Sequence, residues 1–158
     1  MSGMNTQLIG YPRAALAGLI GGVAMAMVAM MITGLLGMGA LAVPKMIGGL
    51  VLGPEAVMNG GVGIVMLGLA VHMMLSVVFG LVYGFIVNSL THEFWMTGLG
   101  FGIVLWIVNF YVVGLFLSGA RMMAQTEPLW LAVMNHMVFG LVAAWVATVF
   151  ARKALVAR

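Results

Sequence analysis

An all-α, polytopic membrane protein with four transmembrane helices is the fold class that the sequence predicts, and three observations predict it. Of 158 residues, 65% are hydrophobic and 6% are charged, against about 25% charged in an ordinary soluble domain. Four apolar runs are long enough, as helix, to cross roughly 30 Å of hydrocarbon, which takes about 20 residues. The chain left between them is too short to build a soluble domain, so residues 1–158 read as a single transmembrane domain.

The elements follow in order. The opening "MSGMNTQLIGYPR" has its only charge late, in Arg13, and the apolar run behind it is too long for the hydrophobic core of a signal peptide, so it is read as retained. The first span covers about 14–37. The connection 38–60 is itself apolar and is interrupted by Pro44 and Pro54. Its centre, 45–52, is too short to span and reads as an interfacial or re-entrant helix entered through Pro44. The second span covers about 61–90, the third 97–118 and the fourth 128–151, with "THEFWM" (91–96) as a tight turn and "GARMMAQTE" (119–127) as a short polar loop. Tyr11, Phe94, Trp95, Trp130 and Trp145 fall near span ends and read as an aromatic belt.

Charge sets orientation rather than partners. A net +3 spread over loops and termini is no nucleic-acid surface. Arg13, Arg152, Lys153 and Arg158 fall on one side and Lys45 and Arg121 on the other, which predicts both termini in the cytoplasm. The chain has no cysteine, which excludes disulfides and thiolate metal sites.

The second and fourth spans share a pattern: "LAVHMMLSVVFGLVYG" (69–84) and "LAVMNHMVFGLVAAWV" (131–146) both run LAV, His-Met, FGLV. Matching the histidines and matching FGLV give registers about one helical turn apart. A parallel two-fold repeat of spans one and two against three and four accounts for this. Small residues flank each histidine at steps of four: Gly68, Ser76, Gly80 and Gly84 around His72, and Ala132, Gly140 and Ala144 around His136. Such rows let helix backbones approach in lipid, so Gly68, Gly80, Gly84, Ala132, Gly140 and Ala144 are the expected packing positions and the histidines belong to helix contacts.

A polar side chain in the bilayer core demands a partner. The first expectation is a neutral imidazole hydrogen-bonded within a polar cluster of His72, Ser76, Asn109, Asn135 and His136, with Asn109, beside the deep Trp106, as the nearest mid-span partner. The alternative is a tetrapyrrole, haem b or a chlorophyll-type pigment, held by His72 and His136 against the flat space that the small residues leave beside each helix. No carboxylate or thiolate lies at that depth to complete a bare metal site. His92 and Glu93 read as solvated turn residues, and Glu127 before Pro128 as a helix start with favourable dipole placement. The seventeen methionines offer polarizable surface for lipids, pigments or partners.

The succession "VPKMIGGLVLG", "HMMLSVVFGLVYG", "GLGFGIVLWIVNFYV" and "NHMVFGLVAAW" resembles a loose group of small bacterial four-helix membrane proteins of unknown function, in which a histidine precedes a Phe/Tyr-Gly pair in the second and last spans. The resemblance implies this architecture and a bacterial inner membrane, and no activity. By elimination the expected role is a small accessory subunit of a larger, energy-converting (respiratory or photosynthetic) membrane assembly, with lipid and other membrane subunits as partners and no catalytic residue of its own. A pigment or haem protein is the alternative, and a small channel or transporter would need a polar lining beyond the His and Asn cluster.

Overall fold

The computed structural model describes residues 9–91 and 93–156, and among them all regular structure is helical. Four helices are long and apolar enough to cross a membrane: Tyr11–Leu35, Val62–Ser89, Phe94–Phe116 and Leu129–Arg152. This is a multi-pass membrane protein, and the shorter apolar helix Ala42–Leu52 lies between the first two spans. His92 and Arg158 lie outside the described residues.

Helix α1 (Tyr11–Leu35) starts with Pro12 in its first turn, where a missing N–H costs nothing. It stops where Gly37, at φ 73°, turns the chain back so that the Met38 N–H reaches the Thr33 carbonyl at 3.0 Å. Helices α2 (Ala42–Leu52) and α3 (Pro54–Asn59) meet at Gly53, whose φ of 87° favours glycine. Then come α4 (Val62–Ile86), a π-helical turn Val87–Thr91, α5 (Phe94–Ile107), a second π-helical turn Val108–Val112, α6 (Val113–Phe116), α7 (Ser118–Thr126) and α8 (Leu129–Val156).

Two expectations are corrected. The segment 119–127, read as a polar loop, is mostly the helix α7, which begins at Ser118 and buries Gly119 and Ala120. The third span is not one continuous α-helix: the π-helical turn from Val108 to Val112 interrupts it at mid-depth, and α5 begins at Phe94, inside the segment read as a turn.

The spans line up as α4, α1, α8, α5: α1 packs on both α4 and α8, α8 packs on α5, and α4 scarcely touches α5. Helix α2 lies along the start of α4 and against α7, so these two short helices roof one end of the bundle. Within each hairpin the helices cross glycine to glycine. A Cβ at Gly18 would strike the Ser76 carbonyl and the Gly80 backbone, and one at Gly102 would strike the His136 carbonyl. Gly84 meets Ala14 where Ala144 meets Gly98, and Gly140 meets Gly98 as Gly80 meets Ala14. The hairpins α1/α4 and α5/α8 therefore pack in the register that aligns the two FGLV segments, not the one that aligns the histidines. In that register His136 corresponds to Ser76, and His72 stands one turn away.

At the end opposite the roof, Asn88 takes the Ile9 N–H at 3.1 Å and donates to its carbonyl at 2.8 Å, and the Tyr83 hydroxyl donates to the Phe94 carbonyl at 2.7 Å. Tyr83, Val87, Phe139 and Ile9 are buried there, with Phe79 edge-on to Phe139 at 6.3 Å.

Candidate functional site: a cleft between α4 and α5

Where α4 and α5 part, they leave a cavity of about 430 Å³. Its walls are mostly aliphatic and aromatic, among them Val71, Leu75, Phe79, Leu105, Val108 and Phe110. Four polar residues reach it: His72, Ser76, Asn109 and His136. The roof helices border it with Leu50 of α2 and Ala120 and Met123 of α7.

Each polar residue has a defined partner. His72 Nε2 lies 2.9 Å from the Gly22 carbonyl oxygen of α1. A carbonyl only accepts, so this nitrogen carries the proton and Nδ1 of the neutral ring is left as an acceptor. His136 Nδ1 lies 2.8 Å from the Ala132 carbonyl, one turn earlier on α8. That nitrogen donates, which makes Nε2 the acceptor of the Asn109 amide at 3.3 Å. The Ser76 hydroxyl donates to the His72 carbonyl at 2.7 Å. Phe110 stands edge-on to the His136 ring at 5.7 Å.

Asn109 owes its aim to the π-helical turn. One extra residue in the turn rotates the following side chains off the α-helical register, and such turns recur at functional sites for this reason. Phe110 is buried beside Asn109, while Val108 and Tyr111 are exposed.

The predicted polar cluster is thus divided. Asn109 and His136 are joined, and His72 shares their cavity but bonds to the backbone of α1. Asn135 points away from the cleft: its Nδ2 donates to Glu127 Oε1 at 3.3 Å. Glu127, read from the sequence as a solvated helix start, is only 5% exposed, and burial pushes its carboxyl up to about 7 against the opposing pull of the Asn135 amide. No residue pattern signalled the pairing, because Glu127 lies between α7 and α8 and meets Asn135 only in the fold.

The spaces assigned to a macrocycle beside the histidines are filled by backbone. Pro44 and Gly48 of α2 occupy the space beside Gly68, Gly18 that beside Gly80, and Gly98 that beside Gly140. The Nε2 atoms of both rings are held in hydrogen bonds. This arrangement does not fit a bis-imidazole haem lying against either helix. Among the described residues no group of three or more His, Asp and Glu side chains gathers as metal ligands.

Comparison of the chain with protein-family models, with curated proteins and with solved structures finds no match.

Proposed function

We propose that this chain is a small accessory membrane protein that holds one neutral lipophilic molecule between α4 and α5, with the hydroxyl or carbonyl end of that molecule at Asn109 and His72. The observation that carries this reading is the cavity of about 430 Å³, inside the range of about 300–1,000 Å³ usual for ligand pockets. Its apolar walls suit a hydrocarbon body. His72 Nδ1 and the remaining amide capacity of Asn109 offer hydrogen bonds to a neutral polar end. Among the described residues no charged side chain lines the cavity, so a phosphate or carboxylate headgroup would enter without a counter-ion.

The accessory role, within an energy-converting assembly of a bacterial inner membrane, rests on elimination together with the resemblance drawn from the sequence. The distribution of basic residues supports cytoplasmic termini: Arg13 and Arg152 fall at one end of the bundle and Lys45 and Arg121 at the other.

Native mass measurement after mild solubilisation tests the ligand directly. One lipophile per chain is expected, and it should be lost in Leu75→Trp, which fills the cleft. A chain that stays ligand-free when offered a total lipid extract of its own membrane overturns the reading. The same measurement should find the chain in a larger complex, and a lone monomer that retains its cellular role counts against the accessory part. A cysteine introduced at Gln125 should be labelled from outside the cell; labelling from the cytoplasm alone reverses the topology.

A further inference from the structure

Beside the cleft, and sharing His72 and His136 with it, a second cavity of about 30 Å³ is lined by residues of α1, α2, α4, α7 and α8 together with Glu127. A water needs about 10–15 Å³ of such space, so there is room for one or two. Four polar residues reach it: His72, Glu127, Asn135 and His136. Asn135 is 1% exposed, and its Oδ1 is buried with no hydrogen-bond partner among the described residues. An orphaned acceptor beside a polar, water-sized space marks the place of an ordered water.

We infer that this small cavity is a hydrated proton-binding site, in which water donates to Asn135 Oδ1 and hydrogen-bonds the Glu127 carboxyl. The chemistry is one O–H bond, broken from the carboxyl to water and re-formed from it, with no electron transferred. It is independent of what occupies the larger cleft, although His72 and His136 border both spaces. The titratable groups that line the cavity with Glu127 are His72 from α4 and His136 from α8; α1, α2 and α7 present only apolar side chains to the cavity, and neither Lys45 nor Arg121 lines it. With its carboxyl pushed up to about 7 by burial, Glu127 changes state near neutrality.

Infrared spectroscopy of the full chain in lipid nanodiscs reads this site without a ligand. The sequence has three acidic side chains, Glu55, Glu93 and Glu127, and a protonated-carboxyl band at neutral pH that disappears in Glu127→Gln belongs to Glu127. The band should be present below neutrality, fall to half near pH 7 as expected for this carboxyl, and shift promptly on transfer to D₂O. Absence of the band at every pH above the ordinary carboxyl range, or a band that resists D₂O, overturns the proposal. Asn135→Leu fills the cavity and should hold the band to higher pH with slowed exchange; a folded Asn135→Leu protein that behaves as wild type also overturns it. Should that variant not fold, the wild-type D₂O experiment decides alone.

Discussion

The two hairpins meet along two seams, and the seams are opposites. Along α1 and α8 the contact is tight: Gly21 lies against the Phe139 backbone and ring, beside Ala143, and Ala17, Ala143 and Ala147 are fully buried. Between α4 and the third span the facing residues are Val71, Leu75 and Phe79 against Leu105 of α5, Val108 of the π-helical turn and Val113 of α6, and they line a cavity instead of meeting. Hydrophobicity does not separate these cases, because both faces are apolar and lipid tails are as apolar as either. The difference is side-chain size at the contact, since in lipid the attraction between helices comes from close backbone approach. An exact two-fold repeat would make the two seams alike. Here the hairpins repeat and the joints between them do not, and the asymmetry opens the cleft.

The comparison can be broken at its closed side first. Gly21→Leu would drive a side chain into Phe139, whose carbonyl would stand 3.0 Å from the new Cβ. Overpacking of this kind costs about 3 kcal/mol, and thermal melting in detergent should show a large loss or no folded protein. A wild-type melt would mean that the seam is looser than described.

The buried carboxyl gives the next effect. Its folded value, about 7, lies above the ordinary 4.5, so the folded protein keeps a proton that the unfolded chain has released. Stability is therefore greatest below pH 4.5, falls as pH rises through that window, and is level above about 7. The span is on the order of 3 kcal/mol at about 1.4 kcal/mol per pH unit. Glu127→Gln should flatten the melting profile across this window, and an equally steep profile in the variant would assign the dependence elsewhere.

Asn109→Leu sharpens the open side. It removes the bond to His136 Nε2 that ties the π-helical turn to α8, at a cost of about 1 kcal/mol, typical of polar contacts between membrane helices. A loss several times larger would make Asn109 part of the folding core. The smallest effect belongs to Leu75→Phe, which adds bulk where the cavity has room. It should move stability by less than about 0.5 kcal/mol, in contrast to Gly21→Leu, and a severe loss there would show that the cleft is closed in the membrane.

The spans were legible because length and hydropathy alone determine them, and their observed ends fall within a few residues of those read from the sequence. The short roof helix α2 was legible through Pro44 and its length. Helix α7 was not, because "SGARMMAQT" is polar enough to pass for a loop and is helical against the neighbours that bury Gly119 and Ala120. His72 and His136 stood out as polar groups in apolar runs, but their partners did not. The Gly22 and Ala132 carbonyls belong to the backbone, which every residue carries, so no residue type announces them. Glu127 was misread for a related reason: only the folding of α2 and α7 over the start of α8 takes its carboxyl out of water.

The spatial order α4, α1, α8, α5 also constrains the order of events during synthesis. Helix α1 can settle on α4 as soon as α4 is made, since their glycine crossing needs nothing downstream. Helix α5 then emerges held to α4 only through Tyr83, which meets Phe94 and Phe101, and it waits for α8, the last span, for its main contact. Until α8 arrives, the π-helical turn and Asn109 face lipid or whatever protein receives the nascent chain. Docking of α8 joins α1 and α5 in one step. A nascent chain whose third span has emerged while α8 has not would therefore hold a finished front hairpin beside a third span that still lacks its main partner.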